Sequence, residues 1–296
     1  MNRITKSLLF RFMDTKLSRL LPDKQYISLR YKAYCGKKLN LKNPITFNEK
    51  LQWLKLNGRK PEYTIMADKY EVRQYVAEKI GEEYLIPIVG VWDKFEDIDF
   101  DKIPNQFVLK PNHTSGNVFI CTDKYKVDYK ALKKEVDKWM KREYYWVHRE
   151  WPYKNIKPRI ICEKYMVDES GIELKDYKFF CFNGKVKFFK VDFNRFSDHR
   201  ANYYDLNKKL LYFGEVKCPP DYQRKLELPS NIYDMVILAE QLSRGKPFLR
   251  VDFYNISGRI YFGEITFFPA SGFGKLEPDE WDYKLGSWIE LPNKLG

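Results

Sequence analysis

The chain has 296 residues, of which 44% are hydrophobic and 31% are charged, and its net charge is +13. This composition is typical of a folded protein with one large domain or two to three lobes, and no apolar stretch approaches the eighteen residues that would predict a membrane-spanning helix. The positive charge indicates an acidic partner, but zinc-finger spacing and an aromatic RNP motif are absent, so we expect no nucleic acid partner.

The cysteine content argues against a zinc site and against a disulfide scaffold. The number is odd, and no pair has the spacing C-x-x-C; the five are Cys35, Cys121, Cys162, Cys181 and Cys218. The N-terminus lacks the long apolar core and small-residue cleavage site of a secretory signal peptide. We therefore expect a cytoplasmic protein in a reducing environment.

Residues 3 to 21 predict an amphipathic helix with a basic side. Ile4, Leu8, Phe12 and Leu20 fall near one face, and five lysine and arginine residues lie close to it. The favoured interpretation is a surface helix packed on the body of the protein. The alternative is peripheral contact with the anionic inner face of the cell membrane.

Helices and strands alternate along the rest of the chain. Residues 44–58 predict a helix because Thr46 and Glu49 form a capping box and Gly58 provides a stop. An Asn183-Gly184 turn between apolar runs predicts a hairpin. Further helices are expected at residues 66–80, 128–148 and 231–243, and strands at residues 84–92, 107–110, 118–121, 159–167, 175–193 and 248–267. This mixed order indicates an α+β fold.

The final hairpin is the most informative feature. Asp252 and Glu264 lie twelve residues apart on strands predicted to pair, so a turn near residues 256–258 would place both carboxylates on one face. Paired carboxylates of this kind suit Mg²⁺, and Arg250 shares their face by the two-residue period of a strand. For this hairpin taken alone, a pair of surface carboxylates near an arginine is the favoured interpretation.

Two other strand ends carry weaker signals. Lys110 ends an apolar strand and precedes a small-residue loop, residues 113–117, whose backbone N–H groups and hydroxyls suit phosphate oxygens, although no Walker A motif is present. The segment 162–166 ends another strand and would offer backbone groups to an adenine edge. Each is equally compatible with an ordinary loop.

Taken in order, these segments resemble the ATP-grasp superfamily, and more closely the TupA-like ATP-grasp proteins of bacterial surface-polysaccharide biosynthesis. The resemblance covers roughly residues 25–293. Its motifs are Asp68-Lys69, the segment from Phe107 to Gly116, Cys162 to Tyr165, Asp176-Tyr177-Lys178, Arg250-Val251-Asp252 and the segment from Glu264 to Pro269.

The resemblance implies ATP and Mg²⁺ as cofactors and a role for each matching residue. Residues implied to bind ATP are Lys69, Lys110, Thr114, Ser115, Gly116 and Asn117 at the phosphates, Glu163, Lys164, Tyr165 and Met166 at adenine, Asp176 at the ribose, and Lys178 facing the nucleotide. Arg250 and Lys110 are the implied catalytic cations, and Asp252 and Glu264 the implied metal ligands. Many members read Glu-x-Asn where this chain reads Glu264-Ile265-Thr266, so Thr266 is a weaker candidate ligand and a second metal is left open.

The implied fold has two α+β lobes that hold ATP between antiparallel sheets, after an N-terminal helical, pre-ATP-grasp region. We expect a basic helical segment at residues 1–60 and an N-terminal subdomain at residues 61–105. The small ATP-grasp lobe is expected at residues 106–165, and the large lobe with the metal and acceptor sites at residues 166–296.

The resemblance implies a ligase that activates a carboxylate as an acyl phosphate for attack by an amine. The hypothesis for this chain is amidation of a uronic acid of a surface polysaccharide or of its sugar-nucleotide precursor. Candidate acceptor-binding residues are Arg195, His199, Arg200, Ser271 and Gly272. Alternatives are a sugar kinase or phosphotransferase, a glycosyltransferase, and a nucleotide-binding or membrane-docking module without catalysis.

Overall fold

The computed structural model describes residues 3–171, 174–194 and 197–292. The helices are α1 (Arg3–Met13), α2 (Asp23–Cys35), α3 (Phe47–Asn57), α4 (Pro61–Ala67), α5 (Val72–Lys79), α6 (Tyr129–Met140), α7 (Tyr145–His148), α8 (Ile232–Ser243) and α9 (Glu280–Ser287). The strands are β1 (Ile88–Trp92), β2 (Phe107–Pro111), β3 (Phe119–Cys121), β4 (Ile160–Lys164), β5 (Asp176–Phe182), β6 (Lys185–Phe193), β7 (Arg200–Tyr204), β8 (Leu210–Leu211), β9 (Gly214–Glu215), β10 (Phe248–Ile256), β11 (Arg259–Thr266) and β12 (Leu276–Glu277). This mixture of helices and antiparallel sheets confirms the predicted α+β class.

A four-stranded antiparallel sheet, in the order β1-β4-β2-β3, forms the smaller lobe. Phe107 and Leu109 of β2 are fully buried and share a core with Leu132 and Val136 of α6. Because side chains alternate along a strand, Lys110 projects from the face opposite that core. The sheet therefore presents Lys110 away from its supporting helix.

A six-stranded antiparallel sheet, in the order β11-β10-β5-β6-β7-β8, forms the larger lobe. Both predicted hairpins are present, with positive φ angles at Asn183 and Gly184 in one turn and at Ser257 and Gly258 in the other. Cys181 of β5 contacts the backbone of α8, so the side chains that alternate with it lie on the opposite face. That opposite face carries a charged network made of Asp176 and Lys178 of β5, Lys190 and Asp192 of β6, Arg250 and Asp252 of β10, and Glu264 of β11.

The capping box predicted for α3 is confirmed. Thr46 accepts from the backbone of Glu49, and the Glu49 carboxylate accepts from the backbone of Thr46 in return. Residues 47–76 pack into the core of the larger sheet, whereas Phe95, Ile98 and Ile103 join the core of the smaller one. Packing within residues 61–105 is therefore divided between the two lobes. The predicted domain boundaries stay a prediction.

The helix predicted at residues 66–80 is interrupted, because the Asp68 carboxylate accepts from the backbone N–H groups of Tyr70 and Glu71. The helix predicted at residues 128–148 is also interrupted, between α6 and α7. The helix predicted at residues 3–21 ends at Met13, and a 3-10 turn follows. Helices α2 and α9 were not predicted.

The N-terminal helices form a third apolar cluster. Met13, Tyr26, Ile27 and Tyr31 pack there against Phe273, a residue from the other end of the chain. The fully buried Arg149 is held in the same region: its guanidinium lies 4.4 Å from the centre of the Tyr26 ring, and its Nη2 donates to the carbonyl of Ser18 at 2.9 Å. No helix among the described residues is long and apolar enough to cross a membrane.

Candidate active site

The β10–β11 hairpin brings together the residues predicted to bind a metal. Asp252 lies opposite Glu264 in the ladder, and Arg250 lies opposite Thr266. Arg250 donates to both oxygens of Asp252 at 2.7 Å and to Glu264 Oε1 at 2.9 Å. It also donates to Thr266 Oγ1 at 2.9 Å. The guanidinium therefore bridges both carboxylates, a geometry that the sequence did not predict.

Lys178 extends this charge network across the sheet. Its Nζ lies 2.9 Å from Asp252, 3.2 Å from Asp176 and 3.3 Å from Asp192. All four side chains are less than a tenth exposed. Burial lowers the pKa of Lys178, but the three carboxylates outweigh this effect and raise that pKa above its ordinary value. Lys178 is thus a charged countercation for three buried acids.

Glu264 and Asp192 stay ionised at neutral pH. Burial raises the pKa of Glu264, but neighbouring cations, first Arg250 and then Lys69, lower it to about 2. The pKa of Asp192 likewise falls well below its ordinary value, because Lys190 and Lys178 outweigh the effect of burial. Ionised carboxylate oxygens are ligands that suit Mg²⁺.

The three predicted metal ligands differ in how well they fit a cation. Glu264 is ionised and its side chain is 39% exposed, so it fits. Asp252 is 1% exposed and accepts from both Arg250 and Lys178, so a metal ligand role requires it to exchange one of these contacts. The Thr266 hydroxyl already bonds Arg250 and Glu264.

The predicted phosphate-binding lysines come from two places: Lys110 lies on β2 of the smaller lobe, and Lys69 lies between α4 and α5, which pack on the larger sheet. Lys110 Nζ pairs with Glu163 Oε2 at 2.7 Å, across the neighbouring strands β2 and β4. Lys69 donates to the carbonyl of Thr114, and burial lowers its pKa, an effect that Glu264 opposes and Lys110 reinforces. Lys69 therefore lies within electrostatic reach of both Lys110 and Glu264.

Asn112, which the sequence did not single out, positions the loop after β2. Its amide donates to both oxygens of Asp68 and to the carbonyl of Lys157, each at 2.9 Å. Its own side-chain oxygen accepts from the backbone of Arg159 at 2.7 Å. These bonds fix the residue before Lys69 against the start of the loop. Asparagine beside a predicted loop carries no signal for such long-range bonds.

The loop itself is partly ordered by side chains. Thr114 Oγ1 and Arg142 Nη1 each lie 3.1 Å from Asn117 Oδ1, while Ser115 and Gly116 are exposed. Arg142 is a second residue that the sequence analysis missed. The buried His113 has no hydrogen-bond partner at Nε2 among the described residues, and burial lowers its pKa to about 4. An uncharged histidine is thus present at the predicted phosphate loop.

The predicted adenine segment connects the two lobes. The backbone N–H of Lys164 donates to the carbonyl of Pro87 at 3.0 Å, and its side chain is exposed. Tyr165 and Met166 are half-buried. Asp176, predicted at the ribose, is buried and paired with Lys178. The roles of these residues toward a nucleotide stay predictions.

The predicted acceptor residues are separated into two groups. Arg195 lies outside the described residues, and Arg200 pairs with Asp198 at 2.9 Å. His199 Nε2 lies 3.7 Å from Asp192. Ser271 and Gly272 belong instead to the segment after β11, where Ser271 Oγ donates to Glu150 at 2.6 Å. No sequence pattern pointed to Glu150, which follows a short helix in an irregular segment.

His199 also takes part in a cluster of metal-binding side chain types. Single ligand atoms of Asp192, His199 and Cys218 lie within 4.8 Å of one another. Lys178 and Lys190 already neutralise Asp192, at 3.3 and 3.5 Å. Burial raises the pKa of Cys218 to about 11, so its thiol keeps its proton at neutral pH. We therefore assign no metal site here.

Several solved ligase structures resemble the chain at low identity. The D-alanine–D-alanine ligase from Bacillus anthracis complexed with ATP is 17% identical, with a TM-score of 0.40, and the match covers 68% of this chain and 53% of that one. The corresponding Helicobacter pylori ligase is 14% identical, with a TM-score of 0.43 and coverages of 82% and 69%. Phosphoribosylamine–glycine ligase from Thermotoga maritima is 13% identical, with a TM-score of 0.43 and coverages of 69% and 48%.

The chain spans little more than half the length of the Bacillus anthracis ligase. Because all three TM-scores lie below 0.5, these likenesses do not bear on function. No curated protein matches the chain. The family model for TupA-like ATPgrasp proteins matches residues 49–290, which is most of the chain. The matched region includes the predicted phosphate-binding residues, the predicted adenine segment and the β10–β11 hairpin. The chain therefore belongs to the TupA-like ATP-grasp family, and its α+β fold is the ATP-grasp fold that the resemblance implied.

Proposed function

We propose that the protein is an ATP- and Mg²⁺-dependent carboxylate–amine ligase that activates a carboxylate as an acyl phosphate. The observation that carries this proposal is the position of Lys69, between α4 and α5, where it links Lys110 of the smaller lobe to the Arg250–Asp252–Glu264 hairpin of the larger lobe. Lys69 interacts electrostatically with both Lys110 and Glu264. Cations and carboxylates from the two lobes are thus close to one another, an arrangement that suits a polyphosphate bound between the lobes.

The proposed roles follow from charge. Transfer of a phosphoryl group to a carboxylate develops negative charge on oxygen atoms, and fixed cations stabilise that charge without having to reorganise. Lys69, Lys110 and Arg250 would supply them. Mg²⁺, when bound, would neutralise phosphate charge and orient the oxygens. Glu264 is the better of the two proposed carboxylate ligands because it is both ionised and partly exposed.

For the substrates, we propose a uronic acid of a bacterial surface polysaccharide or of its sugar-nucleotide precursor, joined to an amino acid or amine. Membership of the TupA-like family and a net charge of +13, which favours an acidic saccharide, support this choice. The five cysteines are all free, which supports our proposal of a reducing cytoplasm.

The test is a screen for ADP release with ATP, Mg²⁺ and pairs of uronic acids or their nucleotides with amino acids. Product masses distinguish a ligase, which joins the two partners with loss of water, from a kinase, which adds phosphate. Glu264→Gln should reduce turnover at least 100-fold because it removes the proposed ligand charge. Glu96→Gln, which changes an exposed carboxylate paired with Lys133, is the matched control. Full activity of the Glu264 variant would contradict the metal assignment.

We also propose peripheral contact of the N-terminal segment with anionic membranes. Leu8, Phe12, Leu17 and Leu20 are 38–82% exposed beside several basic residues, which suits insertion at a charged lipid surface. Co-sedimentation with phosphatidylserine vesicles, compared with vesicles of phosphatidylcholine alone, tests this. A Leu17→Ser/Leu20→Ser variant should lose the binding. Equal sedimentation of both proteins would refute the proposal.

A further inference from the structure

A buried carboxylate and a hydroxyl meet beside the β11 end of the site. Glu150 is 5% exposed, and its Oε1 accepts a hydrogen bond of 2.6 Å from Ser271 Oγ. Ser271 lies five residues beyond Thr266, the last residue of the hairpin that carries the proposed metal ligands. The roles already proposed for the hairpin and the lysines do not use Glu150.

Ser271 has a backbone conformation that is rarely adopted, and Glu150 directly follows a residue that has one. Ala270, Ser271 and Gly272 have φ angles of 46°, 54° and 63°, and Arg149, directly before Glu150, has a φ of 56°. Left-handed conformations of non-glycine residues are costly, and they persist where surrounding contacts impose them, commonly at functional sites. Two adjacent strained segments that present one hydrogen-bonded pair therefore point to a role for the pair itself.

Helix α3 supplies the contacts that impose this conformation. Lys55 Nζ donates to the carbonyl of Ser271 at 2.6 Å and to that of His148 at 3.1 Å. Gln52 Nε2 donates to the carbonyls of Ser271 and Gly272. Lys55 thus contacts both the segment that carries Ser271 and the segment that precedes Glu150, and Gln52 contacts the first of them.

The charged groups around Glu150 connect it to the proposed reaction site. Burial raises its pKa, Lys55 and the Ser271 hydrogen bond lower it, and Glu264 raises it. The phenols of Tyr144 and Tyr153 also face Glu150, and Tyr153 lines a small cavity together with Lys69 and Glu264. Glu150 is therefore close enough to the hairpin to interact with its exposed carboxylate.

We propose that Ser271 contacts the attacking amine and passes its proton to Glu150, an inference that rests on the proposed ligase function. The amine attacks in its neutral form, after its ammonium proton has been lost to water. As its nitrogen forms a bond to the acyl carbon, the carbon–oxygen bond to phosphate breaks and phosphate leaves with the electron pair. The nitrogen proton moves to Ser271 Oγ while the hydroxyl proton of Ser271 moves to Glu150. Glu150 later returns its proton to water, so the relay ends unchanged.

The two residues have different roles in this relay. Ser271 is the catalytic residue because it would touch the amine, and Glu150 is a positioning residue and proton acceptor that acts through it. A proton acceptor needs a pKa close to the working pH, and burial moves Glu150 upward in that direction. A purely structural pair would not require an ionisable group.

A comparison of two nucleophiles distinguishes a proton relay through Ser271 and Glu150 from a purely structural role of this pair. The test uses the full chain with ATP, Mg²⁺ and D-glucuronate or UDP-glucuronate, and offers glycine or hydroxylamine as the nucleophile. Hydroxylamine is uncharged at neutral pH and strongly nucleophilic, so it traps acyl phosphates with little need of a base. Glu150→Gln should lower kcat for the glycine product at least 100-fold, the scale of general base catalysis, and hydroxamate formation no more than about threefold.

Ser271→Gly should behave like Glu150→Gln. Glycine adopts positive φ without strain, so this variant keeps the backbone conformation while it removes the hydroxyl. The wild-type rate with glycine should fall on the acid side, above the ordinary glutamate pKa, and both variants should lose that dependence. Glu96→Gln should leave both reactions unchanged.

Three outcomes would overturn the proposal. Equal losses with glycine and hydroxylamine would indicate a structural role, and wild-type rates in Glu150→Gln would show that no relay operates. If the wild-type protein makes neither product from these carboxylates but the uronate–amine screen finds an active pair, the same comparison is made with that pair. If the screen finds none, the ligase function fails, and the relay fails with it.

Discussion

Replacing Lys178 with methionine should destabilise the protein strongly at neutral pH. The change keeps most of the side chain volume but removes the cation that contacts Asp176, Asp192 and Asp252 at 2.9–3.3 Å. Removing one partner of a buried pair costs about 3–5 kcal/mol. Asp252 keeps Arg250 and Asp192 keeps Lys190, so we expect a total of about 3–5 kcal/mol rather than three times that amount.

The loss of stability in Lys178→Met should depend on pH. The folded-state pKa of Asp192 is depressed, so this group contributes stability that is present above its unfolded pKa of about 3.9 and is lost as the pH falls through its folded pKa. Removing Lys178 raises the folded pKa and shrinks that contribution. The difference in unfolding free energy between wild type and Lys178→Met should therefore be largest near neutral pH and narrow as the pH falls toward about 4.

Urea denaturation of both proteins at several pH values measures this difference. Lys187→Met, which changes an exposed lysine on β6, is the matched control and should change stability by no more than about 0.5 kcal/mol. If Lys178→Met does not fold at neutral pH, adding Asp176→Asn should restore part of the lost stability, because one of the buried negative charges is removed. A loss below about 1 kcal/mol, or one that does not vary with pH, would refute the reasoning.

Three further changes test other parts of the structure. Gly272→Ala should cost about 1–3 kcal/mol, since φ is +63° and a Cβ would meet the Gln52 amide at 2.5 Å; an unchanged melting temperature would contradict this. Thr46→Ala should cost about 0.5–2 kcal/mol in urea denaturation through loss of the cap on the Glu49 backbone, whereas no change would show that water replaces the cap. Lys110→Met should weaken ATP binding about 10- to 100-fold by calorimetry with its fold intact, and wild-type affinity would remove Lys110 from the proposed phosphate site.

The sequence predicted well those features that depend on local geometry. The Asn183-Gly184 turn and the two-residue period fixed the first hairpin, and a turn at Ser257-Gly258 brought Asp252 opposite Glu264 as expected. The capping box at Thr46 needed only residues within one helical turn. Each of these signals lies in a short segment and does not depend on the rest of the fold.

Features that depend on distant contacts were missed. The break at Asp68 is stabilised by Asn112, forty-four residues away, and the Ser271–Glu150 bond joins residues 121 apart. The positive φ angles at Ala270 and Ser271 also had no signal, because alanine and serine do not favour that conformation. Lys178 was predicted to face the nucleotide, but its three carboxylate contacts depend on the joint register of β5, β6 and β10.

The N-terminal helices precede the region that the family model matches, but they contact segments inside that region. That match begins at residue 49, yet Phe273, which directly follows the strained segment, packs among Met13, Tyr26 and Ile27. Arg149, which precedes Glu150, is held by Ser18 and Tyr26. A shortened chain that starts at residue 49 would keep every predicted ATP-binding residue and the contacts of Gln52 and Lys55, but it would lose the N-terminal contacts to Phe273 and Arg149. Such a fragment should bind nucleotide more readily than it completes a reaction.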